Sequence, residues 1–409
     1  MQNKDGKVLF QNFIYLSLMQ IAGFVFPLLT LPYLSRIVGT EGFGKVAFAS
    51  AVIIWVQTIS DWGFNYTGTR SLAVVRENID EVSQIFSNIF WSRIILSVFS
   101  LLSLLLLILF VPEFRENKNV ILITFLMVPG NILVSEWFFQ ALERMKYITL
   151  FNLLAKFIFM ICVFLFVREK EDYVLQPLFI SLGFLTSGCI SMYFILVRWK
   201  VKLRKPAFNE IFVTIKNSTD VFINNLMPNF YNSMSTILLG FYSSSSSVGV
   251  YSSGKNFVSV SNSMVSIISR VFYPYLARRS DKHSTFAKIN IIVSLFVTLF
   301  LFALAPLIIH IFYTDEFVGS ISVLRITSIA LFFITLNTVY GTNFLLLHNC
   351  DKLLRNITIT SSVFGLLLSF PLIIYFDYIG AALTFLISSI LLGIMPMYYA
   401  FRIKNSVVK

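Results

Sequence analysis

Twelve long apolar runs recur along this chain, at residues 12–35, 43–62, 84–111, 119–141, 147–167, 174–198, 219–241, 248–274, 285–312, 317–347, 355–376 and 378–402. A bilayer core of about 30 Å is crossed by about twenty residues of α-helix. Inside it every backbone N–H and C=O must be paired within the protein, which leaves only helices and closed barrels. Barrel strands alternate apolar and polar residues over about ten positions, whereas these runs are continuous. Of the 409 residues, 57% are hydrophobic and only 13% charged, against about 25% charged in soluble domains. So much apolar surface does not fit inside one or two soluble cores. A cytosolic enzyme, a disulfide-rich secreted module and a disordered chain are excluded. The expected fold is an all-α integral membrane protein of about twelve helices. The run at 317–347 is long for one crossing and predicts a tilt or a break. The polar opening MQNKDGKVLFQ carries no cleavage site, so the first run reads as a retained helix.

The net charge of +12 invites a nucleic-acid reading, but its distribution gives it another meaning. With the N-terminus placed in the cytoplasm, twenty-two Lys and Arg fall on the cytoplasmic side, including Arg198, Lys200, Lys202, Arg204 and Lys205. Six fall outside: Arg36, Lys45, Arg115, Lys118, Arg168 and Lys170. Lys156, Lys255, Arg270 and Arg325 lie within the runs. Counting carboxylates too, the inner side carries +14, the outer side −3 and the runs +1. That asymmetry is the positive-inside signature. It puts both termini in the cytoplasm and leaves no charge for nucleic acid to explain.

The basic segment VRWKVKLRKP lies near the midpoint and divides the chain into a first half over 1–198, a linker over 199–218 and a second half over 219–409. The halves echo one another. Pro27 and Gly39 recur as Pro228 and Gly240, Phe86 as Phe286 and Gly44 as Gly249, at offsets of 201, 200 and 205. Six is an even number of crossings, so both halves enter from the same side. Parallel repeats of this kind occur in transporters, with substrate held between them.

Enzymatic signatures are missing. Cys162, Cys189 and Cys350 form no CxxC or Cys/His cluster, and His283, His310 and His348 are scattered. There is no GxxxxGK[ST] motif. The outer loops are too short to build the extramembrane site of a glycosyltransferase or polymerase.

Polar groups inside the runs carry what remains. Lys156 lies about 14 Å deep at 1.5 Å per residue; it lines a cavity, pairs with a carboxylate on a neighbouring helix, or snorkels. Lys255, Ser259, Asn262, Ser266 and Arg270 share one helical face, and Asn225, Asn229, Asn232 and Thr236 form a similar stripe. Both suit a wet cavity or helix–helix hydrogen bonding, and Arg270 is also close enough to the inner end to snorkel. Arg325 has a claim like that of Lys156. Asp61 and Asp220 sit at cytoplasmic ends, where pairing with Arg70 or Lys216, helix capping, and coupling or gating all fit. Glu136 is either an ion-pair partner or a coupling group. A cavity lined by Lys156, Lys255 and Arg325 would be cationic, suiting phosphate or diphosphate and repelling a cationic drug.

The stretch PLLTLPYLSRIVGTEGFGKVAFASAVIIWVQTISDWGFNYTGTRSLA at 27–73 resembles Wzx-type O-antigen flippases of the multidrug/oligosaccharidyl-lipid/polysaccharide exporter superfamily. The resemblance rests on Pro27, Pro32 to Arg36, Gly39 to Gly44, Asp61 to Asn65, and Thr69 with Arg70. VGVYSSGKNF at 248–257 is similar to the family's second turn, with Lys255 at its basic position. The resemblance implies a transporter of undecaprenyl-diphosphate-linked oligosaccharide repeat units across the bacterial inner membrane. It would work by alternating access, without a cofactor, with proton or sodium coupling, beside a polymerase of the same pathway. The chain departs from the family at SSSSS (243–247) and at Asn232, where acidic residues are expected, which leaves the coupling residues open. Two other functions compete: a drug/cation antiporter of the same superfamily, which would want acids in the first-half cavity, and a membrane polymerase or glycosyltransferase acting on the same lipid carrier.

Overall fold

The structure, a computed structural model, describes residues 2–205, 207–278, 282–348 and 350–407. Arg279, Lys409 and the side chain of Arg270 lie outside the described residues. Two compact units make up the chain. The first comprises Met1–Val38 and Ala49–Leu226, the second Gly39–Phe48 and Met227–Lys409. The described residues are almost entirely helical. In order the helices are α1 (Gln2–Asp61), α2 (Phe64–Val74), α3 (Ile79–Phe110), α4 (Pro112–Glu116), α5 (Lys118–Phe125), α6 (Met127–Val134), α7 (Glu136–Ala141), α8 (Met145–Phe166), α9 (Leu175–Tyr193), α10 (Phe208–Leu226), α11 (Asn229–Tyr242), α12 (Ser245–Arg278), α13 (His283–Phe312), α14 (Ser320–Leu336) and α15 (Asp351–Val407).

Eight helical stretches among the described residues are long and apolar enough to cross a bilayer. The apolar runs predict twelve, and the difference has identifiable causes. Two of the eight, at 17–74 and 351–404, span 58 and 54 residues, and each is broken inside, at Gly39 (φ 67°) and at Asp377 (φ 53°). These breaks fall where the apolar runs separate. The run expected over 219–241 is interrupted by a turn at Met227–Pro228, which leaves α11 only 14 residues long. α12 is diluted by its serines and asparagines.

Other spans are irregular for local reasons. Pro129 lacks the N–H that would reach the Phe125 carbonyl, and the helix restarts at Met127. Ser135 takes a left-handed conformation (φ 48°) and starts α7 at Glu136. The long run at 317–347 contains a break, since α14 passes into a π-helical segment, Asn337–Leu345. There the Asn343 side chain donates to Ser269 Oγ at 2.5 Å.

Large apolar side chains face outward, as on α3, where Phe99, Leu102, Leu106, Leu109 and Phe110 are all exposed. In water such a surface would drive aggregation; against lipid tails it costs nothing. The chain is a multi-pass membrane protein.

The basic segment places the division of the chain within 199–218, whereas the units divide after Leu226. Hydrogen bonds explain the shift. The extended linker is stitched to α3: Lys202 N donates to Ser83 Oγ (3.0 Å), Arg204 N to Ser87 Oγ (2.8 Å), and Trp91 Nε1 to the Arg204 carbonyl (2.9 Å). The Arg204 guanidinium closes the seam on Gln84 and Asp80. α10 is then held by the turn that ends α1. Trp62 stacks on Phe222 with centroids 3.8 Å apart and donates to the Ile215 carbonyl. Gly63 supplies the positive φ of 77° that the turn requires.

In the second unit the segment 39–48 packs beside the start of α12. Gly44 and Gly249 face one another there. A Cβ on Gly249 would run into the Thr40 carbonyl oxygen and come within 3.2 Å of Gly44 N. Phe43 sits edge-on to Phe317 at 5.5 Å, and Thr40 N donates to Glu316 Oε2 at 3.3 Å. The obstruction is backbone, which cannot swing aside. Gly249→Ala is therefore expected to cost about 1–3 kcal/mol of overpacking and to lower the membrane level of the protein several-fold. Quantitative immunoblotting of membranes checks this, and a wild-type level would show that the two segments part without cost.

Candidate functional site

Within the first unit, four charged residues gather from four helices. Asp61 closes α1, and Arg93 projects from α3. The start of α3 is fixed by Asn78, whose side chain accepts from Asp80 N and Glu81 N. Arg93 and Asp61 form an ion pair whose side chains are only 4% and 21% exposed. Glu136 opens α7 and accepts from Asn152 Nδ2 of α8 at 2.6 Å. Lys156, one turn further along α8, places its ammonium beside Gly23 of α1, where a Cβ would lie 3.2 Å from Nζ. Glu136 lies near enough to Asp61, Arg93 and Lys156 to feel their charges. Among the described residues no carboxylate forms an ion pair with Lys156. Glu136 itself keeps accessible surface.

The second unit holds one lysine in an aromatic box. Lys255 Nζ lies 4.5 Å from the Phe385 ring centroid and 5.3 Å from that of Tyr251. It donates to the Asn232 carbonyl at 3.2 Å. Behind Phe385, the Tyr231 ring lies with its centroid 6.5 Å from that of Phe385. Ring faces attract a cation, but they do not neutralise it, and among the described residues Lys255 has no carboxylate partner. The box therefore holds an amine that lacks a counter-charge of its own among the described residues.

The other residues read from the sequence are placed differently. Arg325 is exposed, with its guanidinium 5.6 Å from the ring of Phe302, itself an exposed residue of α13; it is a surface cation–π contact. Arg70 is exposed and lines a polar recess of about 410 Å³ with Thr67, Ser71, Asn88, Thr214 and Asn217. Asp61 pairs with Arg93 and not with Arg70. Asp220 is exposed on α10. The asparagine stripe is not a single helical face: Asn225 is exposed near the end of α10 in the first unit, and Asn229 is buried at the start of α11 in the second. Pro228 breaks the register between them. Asn262 is half-buried on α12, seven residues beyond Lys255.

Sequence reasoning misses three participants. Arg93 counts there among the cytoplasmic charges, although it lies nine residues into an apolar run just as Lys156 does, a signal that is available. Asn152 is one of many polar residues in a span and has no distinguishing mark. Phe385 is one of 44 phenylalanines, and nothing in the pattern singles it out.

A multi-pass helical protein with charged groups enclosed among its helices has the build of a membrane transporter, and known proteins agree with the fold. A protein of Escherichia coli (strain K12) that carries a provisional name as an O-antigen transporter is 29% identical over 405 residues, covering 97% of this chain and 98% of its own. A protein of Shigella dysenteriae with the same name is 24% identical over 387 residues, 93% and 97% of the two chains. Among solved structures, the lipid II flippase MurJ in an inward closed conformation is similar with a TM-score of 0.75 at 15% identity, over 95% of this chain and 87% of that one. An inward-facing multidrug resistance MATE family transporter of the MOP superfamily gives 0.67 at 13%, over 97% and 98%. The chain belongs to the polysaccharide biosynthesis protein family, which matches residues 9–280, more than half of its length.

Proposed function

We propose that this protein is a flippase that moves undecaprenyl-diphosphate-linked oligosaccharide repeat units of O-antigen or a related surface polysaccharide across the bacterial inner membrane. The observation that carries the reading is Lys255, an enclosed amine with aromatic neighbours and, among the described residues, no carboxylate partner. Phosphate oxygens make short, charge-assisted hydrogen bonds to such a group, and a diphosphate would complete what the box lacks. The names of the relatives and the likeness to the MurJ fold support the same reading. A cationic drug would meet like charge at Lys255, which disfavours the antiporter alternative.

The proposal includes twelve crossings in two halves, with both termini in the cytoplasm. The Lys and Arg distribution supports it. So do the breaks at Gly39 and Asp377, which divide two long stretches, while the apolar runs over 219–241 and 248–274 supply the remaining crossings. The headgroup would be exposed alternately to the two sides while the polyprenyl tail stays in lipid. A proton or sodium gradient would drive the cycle through the acids of the first unit, and a polymerase of the same pathway would receive the units.

Deletion of the gene should leave lipid-linked units on the cytoplasmic face, read by their inaccessibility to periplasmic enzymes. Unpolymerised units in the periplasm would mean instead that the protein is a polymerase. Lys156→Ala should reduce surface glycan display about tenfold at an unchanged protein level, an effect equal to one lost charge-assisted contact of about 1.4 kcal/mol. Wild-type display in this variant would remove Lys156 from the transport path.

A further inference from the structure

Five of the membrane-capable stretches in the first unit have ends that border one recess. They end at Val74, begin at Ile79, end at Ala141, begin at Met145 and end at Arg198. The recess has a volume of about 440 Å³, and its walls include Arg76, Glu77, Val82, Leu142, Arg144 and Trp199. It therefore sits at one end of the helical stretches that border it.

Its construction is rigid. Trp199 packs against Phe138, Phe139 and Tyr147, with centroids 5.7, 5.4 and 5.2 Å away. The wall bearing Arg144 is fixed by Arg144 N donating to the Phe139 carbonyl at 2.8 Å, and the wall bearing Val201 by its N–H donating to the Ile195 carbonyl at 3.1 Å. Two non-glycine residues at its edge, Glu143 and Lys200, hold left-handed backbone conformations, both with φ 56°. Such conformations cost free energy in L-residues and cluster at ligand clamps. Here one immediately precedes Arg144, and the other separates Trp199 from Val201.

We propose that this recess binds the headgroup of a zwitterionic bilayer phospholipid carrying a primary ammonium. Arg144 holds the phosphodiester, Glu77 takes the ammonium, and Trp199, Phe138 and Leu142 take the glycerol backbone. A tryptophan at the interface suits the boundary between polar and apolar lipid. The charge balance favours a zwitterion. Arg76 already meets Glu143 at 3.3 Å, which leaves Arg144 and Glu77 as one cation and one anion on the same walls. Among the lining residues, that pair has no surplus positive charge for the diphosphate of a polyprenyl carrier. Exposed Leu150, Tyr193 and Val197 belong to the neighbouring helical segments and offer apolar surface for acyl chains.

The test is native mass spectrometry of the full-length protein in detergent, titrated with phosphatidylethanolamine and, separately, with phosphatidylglycerol. Wild type should bind one phosphatidylethanolamine that survives mild activation, at least tenfold more tightly than phosphatidylglycerol. Arg144→Ala and the bulkier Arg144→Gln should weaken binding about tenfold or more, and Glu77→Gln should erase the preference between the two lipids. Arg168→Ala, on another loop, should leave binding unchanged. Wild-type binding in both Arg144 variants, or equal binding of the two lipids by wild type, would overturn the proposal. So would displacement of the lipid by inorganic phosphate, which would make the recess a general anion site, or only by a polyprenyl diphosphate, which would make it part of the transport path. If Arg144→Ala does not fold, the Gln variant and the lipid preference decide the matter. The measurement needs no transport, so it stands apart from the flippase reading.

Discussion

Lys255→Met is expected to abolish surface glycan display while leaving the purified protein at least as stable as wild type. The two halves of that expectation have one cause. An enclosed ammonium without a counter-charge is held at a desolvation cost that its surroundings only partly offset. Phe385 and Tyr251 attract it through their ring faces, and the Asn232 carbonyl accepts one hydrogen bond. Methionine has similar length, packs well against aromatic rings and brings no charge to desolvate. The melting temperature should stay the same or rise by about 2 °C. Transport should fail because a diphosphate would then enter a box without a cation. Loss of display together with a fall in stability would make Lys255 a structural residue. Retained display would take it off the transport path.

The second large effect belongs to the buried pair of the first unit. Arg93→Met strands the Asp61 carboxylate, and breaking a buried pair by removing one partner costs about 3–5 kcal/mol. The protein should be nearly absent from membranes. The double variant Asp61→Asn with Arg93→Met removes both charges and should recover most of the protein level. Immunoblotting reads the level and glycan display reads the activity. A stable but inactive double variant assigns the pair to the transport cycle. A stable and active one confines it to folding. An Arg93→Met protein at wild-type level would contradict the ion pair itself.

Much of the fold is legible because bilayer thickness leaves a direct imprint on sequence. The apolar runs that stop at 35 and restart at 43, and those that stop at 376 and restart at 378, bracket the breaks at Gly39 and Asp377. Pro228 is visible too, but the spacing of the asparagines reads as continuous across it, and only the turn at Met227–Pro228 separates them. The division between units is displaced because hydrogen bonds from side chains to backbone leave no periodic signature. Ser83, Ser87 and Trp91 recur every four residues, yet only the folded chain shows that this edge of α3 grips the linker. Gly44 and Gly249 pair as a repeat by their spacing, and the structure gives that pair a physical meaning in their close approach.

The site is legible as residue types and not as partnerships. A charge in an apolar run announces itself by its cost, which is why Lys156, Lys255 and Glu136 stand out. Their neighbours depend on helix rotation, which a single sequence does not fix. Arg325 shows the limit: it has a depth in its run similar to that of Lys156, but its helix turns it outward to Phe302.

The most direct measurement is transport by the purified protein in proteoliposomes. A lipid-linked oligosaccharide is placed in the inner leaflet, and its arrival outside is read with a membrane-impermeant lectin. Wild-type protein should produce time-dependent lectin binding well above protein-free vesicles, and Lys255→Met should not. Equal rates with wild type, with Lys255→Met and without protein would contradict the account.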